Sequence, residues 1–175
     1  MFNIVLIWGP ATDGDLVRLR DAIVECANRL PEELVLHVIQ TREIETEEGV
    51  VRNRPVAAQQ TYESEIAHML STADAVIALI GADTRPETSR GNVWTEWAFC
   101  VAVLSDHQLL TVIVSDEKVP EHGFATDFGH YGAGAQLISS ADILRYGTSS
   151  IADALVQKAL GLANLQVPQQ EAIES

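Results

Sequence analysis

Between Asp74 and Leu104 the chain reads DAVIALIGADTRPETSRGNVWTEWAFCVAVL, and this stretch does most to limit what the whole can become. Ala75–Ile80 is an unbroken apolar run that stops at Gly81. A run so short, apolar at every position, predicts a strand covered on both faces. The loop Ala82–Gly91 follows, with Asp83, Thr84, Arg85, Pro86, Glu87, Thr88, Ser89 and Arg90. A helix then starts near Asn92 or Val93, with Val93, Trp97, Val101 and Leu104 spaced to face the sheet. An open α/β sheet binds ligands beyond the carboxyl end of a central strand, which is where this polar loop falls. Glu96 lies off the apolar stripe in the first turns, able to look back toward the loop.

The flanking chain repeats the alternation. Asn3–Trp8 is an apolar, β-branched strand, followed by the turn-rich GPATDGD. A helix over Asp15–Leu30 places Leu16, Leu19, Ile23, Ala27 and Leu30 on one face, with Asp13 or Asp15 as N-cap and Pro31 as stop. Leu34–Ile39 is a second buried strand, completing a βαβ unit. Its His37 is expected to be a core or edge residue and not a ligand. Gln40–Gln60 shows no clear period and reads as a long excursion with at most a short helical piece, either functional or a solvated insertion.

Ala57–Thr72 is a helix with Tyr62, Ile66, Met69 and Leu70 inward, and it leads into the central strand. Beyond the Glu96 helix come a strand at Leu109–Val114, an irregular stretch at Ser115–Gly134, and a short strand at Gln136–Ile138. A closing helix over Ser150–Leu165 turns Ile151, Leu155, Leu162 and Leu165 inward. The expected fold is a single α/β domain over residues 1–165, a doubly wound, flavodoxin-like parallel sheet of five strands in the order 2-1-3-4-5. Residues 166–175 form a polar tail.

Charge narrows the partners. Eleven basic residues against 25 acidic ones give a net charge of −14, which repels nucleic acid and anionic lipid. A small anionic ligand stays compatible, because backbone N–H groups and one or two arginines suffice for it. The two cysteines, Cys26 and Cys100, are isolated inside predicted helices and read as core packing. MFNIVLIWGP lacks a basic leader region and is too short to span a bilayer, so a cytoplasmic location is expected.

Most catalytic signatures are missing. The glycines do not spell GxGxxG, GHYGAGA lacks the ending of a phosphate loop, and there is no HExxH, CxxC or GxSxG. His122 and His130 stand too far apart to argue for a metal. What remains is Glu96. A lone helix carboxylate is ordinarily a solvated charge, but this one follows a polar loop and has Trp94 and Trp97 beside it. Tryptophan rings lower the local dielectric and stack on flat heterocycles. A carboxylate there can stabilise a ribosyl cation, orient sugar hydroxyls, or attack an anomeric carbon. Trp8, Gly9 and Pro10, with Thr12 and Asp13, follow the first strand and are expected beside the same crevice. For Trp8 alone, capping the end of the sheet is the simpler role.

The segments IAHMLSTADAVIALIGADT and NVWTEWAFCVAV resemble the central part of bacterial TIR and TIR-like domains, in particular those of anti-phage defence. The match covers about forty residues. It implies an enzyme that cleaves the nicotinamide–ribose bond of NAD, or cyclises the product, with Glu96 as catalytic residue. It further implies NAD as substrate and no separate cofactor, with Trp8–Asp13, Thr84, Arg90 and Trp94 lining the nucleotide site. A homo-oligomer or a partner effector chain is also implied.

IWGP and SRGNVWTE resemble, in addition, nucleoside 2-deoxyribosyltransferases and deoxynucleotide N-hydrolases, although the glycine-to-glutamate spacing is one residue longer here. Both families break an N-glycosidic bond with a glutamate at the start of a helix. A non-catalytic module that binds a nucleotide signal or assembles with partners is the remaining alternative.

Overall fold

A computed structural model describes residues 2–9, 13–30, 34–40, 43–46, 49–51, 59–81, 92–104, 108–116 and 135–164. For residues 40, 43–46, 49–51, 59–65, 92, 94–95 and 164 it describes the backbone course alone. The elements are β1 (Phe2–Gly9), α1 (Gly14–Asn28), β2 (Leu34–Gln40), β3 (Glu43–Thr46), β4 (Gly49–Val51), α2 (Gln59–Thr72), β5 (Ala75–Gly81), α3 (Asn92–Val103), β6 (Leu109–Val114), β7 (Gln136–Ile138), α4 (Ser140–Tyr146) and α5 (Thr148–Asn164).

Five strands run parallel in the order β2-β1-β5-β6-β7, which is the doubly wound order expected from the alternation. The sheet has two more strands than expected. β3 and β4 form an antiparallel hairpin that pairs with β2 through Val38↔Glu45 and Ile39↔Ile44. Part of the stretch read as an excursion with no clear period is therefore sheet. Strands of three and four residues are too short to display a period of two, and glutamate is a poor strand former.

β5 is buried at every position from Ala75 to Gly81, as a strand with helices on both faces must be. Its pleat divides the core. Ala75, Ile77 and Leu79 join Ile4, Leu6, Val112 and the inner faces of α1 and α5 in one cluster. Val76, Ala78 and Ile80 join Val5, Ile7 and Ile113 with Ile66, Leu70, Val93, Trp97 and Cys100 in the other, under α2 and α3. The sheet is thus sandwiched between α1 with α5 and α2 with α3. At its amino edge, Asp74 Oδ2 accepts from the Asn3 backbone N–H at 2.7 Å, and Asp74 N donates to Asn3 O at 2.8 Å. The aspartate that begins the central motif fixes the register of β5 against β1.

The closing helix begins at Thr148, earlier than expected, and a separate short helix, α4, precedes it. Ser139 and Asp142 cap α4 reciprocally, and Gly147 at φ 80° ends it. Only Ile143 of α4 is buried, so no apolar period marks it in the sequence. No helix among the described residues is long and apolar enough to cross a membrane.

Candidate active site at the fork between β1 and β5

From β1 the chain passes through α1 on one face of the sheet to β2. From β5 it passes through α3 on the other face to β6. The two connections leave in opposite directions, and the carboxyl ends of β1 and β5 become the switch point where such sheets hold ligands. Both strands end in glycine, with Gly9 paired to Ile80. A Cβ on Gly9 would stand 3.5 Å from Val93 Cγ1, so the first turn of α3 lies directly on the end of β1. The N–H groups of that turn, which have no acceptor within the helix itself, therefore open near the fork.

Glu96 stands about one turn beyond Val93. It is half-buried and has no hydrogen bond or ion pair among the described residues. Burial alone pushes its carboxyl up to about 7. A carboxylate beside an arginine would be pushed down instead, and a solvated one would not move. Trp97, one residue on, is fully buried, and its Nε1 donates to Thr111 Oγ1 on β6 at 3.1 Å. Cys100, one turn further, is completely buried, and its thiol is pushed up to about 12 by burial and by the Glu96 charge.

Trp8 occupies the expected end of the sheet and turns its ring away from α3. It lies at the carboxyl end of β1, but its ring packs with the α1–α5 cluster, whereas Glu96 belongs to α3 on the other face. The alternation of β1 dictates this: Ile4, Leu6 and Trp8 share one face, and Val5 and Ile7 share the other. The Arg20 guanidinium stacks 4.3 Å above the Trp8 ring and is paired with Asp21. Trp8 Nε1 is buried and meets no hydrogen-bond acceptor among the described residues. The aromatic wall expected from Trp8 thus faces α1, not α3.

Asp13 serves as N-cap, its Oδ1 accepting from Asp15 N and Leu16 N, both at 3.1 Å. Pro10, Thr12, Thr84 and Arg90 lie outside the described residues, as does the side chain of Trp94. So do His122, His130, most of the Ser115–Gly134 stretch and the 166–175 tail.

A polar staple unforeseen in the sequence closes the carboxyl edge on the α1 side. Ser140 N donates to Asp116 Oδ1 at 2.7 Å, and Ser140 Oγ lies 3.0 Å from Asp116 Oδ2 and 2.8 Å from Asp15 Oδ2. The Ser140 hydrogen bond and the neighbouring Arg18 hold the Asp15 carboxyl below its usual range. The staple joins the start of α1, the end of β6 and the start of α4. The S-S-A-D box at Ser139–Asp142 was the available signal for it. Among the described residues no group of histidine, cysteine, aspartate or glutamate side chains is placed to hold a metal ion.

Set against models of known protein families and against curated proteins, the chain matches none.

Proposed function

We propose that the protein is a TIR-like enzyme that breaks the N-glycosidic bond of NAD, with Glu96 as its catalytic residue. The observation that carries this reading is a half-buried carboxyl in the second turn of α3, the helix whose first turn lies on the end of β1, with no neutralising partner among the described residues. Structural carboxylates in this fold are used up in hydrogen bonds, as Asp13, Asp74 and Asp142 show. Glu96 is buried at a cost that nothing among the described residues offsets, a pattern that marks groups kept for chemistry. The sequence resemblance supplies the reaction. The bond from ribose C1′ to nicotinamide N1 breaks, the base leaves with the electron pair, and positive charge builds at C1′. Ionised Glu96 stabilises that charge, and water or an adenine nitrogen completes the substitution.

A cationic nicotinamide beside Glu96 favours the ionised carboxylate and draws its pKa downward on binding. The first-turn N–H groups of α3 suit the anionic part of the substrate. The resemblance also supports a cytoplasmic setting, a homo-oligomer or effector partner, and a role in anti-phage defence.

One observation favours a second reading, a nucleoside N-glycosidase or 2-deoxyribosyltransferase with Glu96 as nucleophile. The α1 side of the carboxyl edge carries Asp13, Asp15 and Asp116, which repel phosphate and suit an uncharged nucleoside. Incubation with NAD and with a panel of deoxynucleosides separates the two. Nicotinamide release supports the first, release of free base from deoxynucleosides supports the second, and binding without either release identifies a non-catalytic module.

A further inference from the structure

Adjacent residues on an α-helix point about 100° apart, so the direction taken by Trp97 fixes the direction of Glu96. Trp97 is held more firmly than packing alone requires. Its indole is 2% exposed, and its N–H is bonded to the hydroxyl of Thr111. β6 is otherwise LLVIV, and Thr111 is in register with Ala78 on β5. Among the described residues the buried polar side chains are Thr111 and Ser115. Valine would fill the Thr111 position equally well and suits a strand, so packing gives no reason for the hydroxyl. The hydroxyl makes one rotation of α3 about its axis better than its neighbours, because any other leaves a buried N–H without an acceptor.

We propose that Thr111 is a positioning residue for Glu96, acting through the Trp97 indole to set the rotational phase of α3. The proposal rests on Glu96 being the reacting carboxyl. It adds that the carboxyl's aim is set from β6, across the sheet–helix interface. The Cys100 thiol is the described ionisable group next to Glu96, and it stays neutral throughout the range of interest.

The test compares Thr111→Val, Thr111→Ser and Trp97→Phe in the full chain, with Val112→Ala as control. Val112 is buried on the opposite face of β6, in the α1–α5 cluster, so its truncation costs stability without touching α3. Two quantities are read: the titration midpoint of the Glu96 carboxyl by carbon NMR, and kcat with KM for N-glycosidic cleavage. Thr111→Val is expected to lower the midpoint by about half a unit or more as the carboxyl gains water. It is expected to cut kcat about tenfold with KM little changed, the scale of a misplacement well under 1 Å. Thr111→Ser restores both.

Trp97→Phe reproduces Thr111→Val, and the pair together is no worse than either alone. It also serves if Thr111→Val does not fold. The proposal is overturned if Thr111→Val leaves the midpoint unchanged, if Val112→Ala moves it as far, or if serine fails to restore it. Absence of any cleavage by the wild type would remove the enzymatic reading, while the carboxyl titration would still decide the positioning.

Discussion

Glu96 and Cys100 stand one helical turn apart on α3, and the charge of the first adds to the burial that keeps the second a thiol. Cys26, on the other side of the sheet, is likewise held as a thiol, at about 11, by burial and by its hydrogen bond to Asp153. Neither cysteine has the electropositive, accessible setting that makes a thiolate. At pH 8 the folded protein should therefore resist iodoacetamide at both positions. Mass spectrometry should find both alkylated only after denaturation, and rapid native labelling of Cys100 would contradict the burial of α3 described here.

Glu96→Gln keeps the volume and removes the charge. Turnover of the N-glycosidic substrate should fall by about two orders of magnitude or more, the scale of a lost electrostatic contribution. Binding of the intact nucleotide should change much less. Steady-state kinetics and calorimetry of the folded variant check both, and unchanged cleavage would remove Glu96 from the mechanism.

The pH profile separates two roles for the same carboxyl. With a folded value of about 7, a Glu96 that acts ionised gives a kcat/KM that rises with pH and levels off above about 7. A Glu96 that acts as a proton donor gives the mirror image, with activity lost as pH rises through 7. The first profile is expected.

Stability should show the same titration. The folded value lies above the unfolded value of 4.5, so the folded state binds this proton more tightly. Below about pH 4.5 both states are protonated and Glu96→Gln should melt with the wild type. From pH 4.5 to 7 the wild type loses stability that the glutamine variant keeps, and above 7 the gap is constant. Melting curves at pH 4, 6 and 8 should show the variant's advantage growing with pH; the opposite order would mean that Glu96 has an ionic partner.

In the core, Ile77 is fully buried in the central strand against the α1–α5 layer. Ile77→Asp should yield no folded protein, because it buries an unpaired charge. Ile77→Ala should fold but lose about 2–5 kcal/mol in urea denaturation.

The parallel sheet could be read from the sequence because AVIALI, IVLI and VIV are runs of apolar residues, mostly β-branched, that are buried at every position. Glu96 stands out as a candidate in the sequence because it breaks the apolar stripe of its helix, and the structure leaves it half-buried there. The hairpin could not be read, since β3 and β4 are short, β3 is charged, and both owe their place to the free edge of β2. The face that Trp8 takes was hidden for a different reason. Its position at the end of β1 is visible in the sequence, but the face to which it points depends on which helix covers that side. Only the pleat of β1 against α1 and α3 decides that.

The hairpin also changes how the sheet meets its surroundings. Without it, the seven residues of β2 would present an open ladder to other chains. With it, the outermost strands among the described residues are β4 and β7, of three residues each. A rim that short gives an incoming strand almost nothing to pair with, which protects a highly apolar sheet from edge-to-edge aggregation. Any assembly of this protein should accordingly be built through its helical layers or loops, with each copy's sheet ending at its own borders.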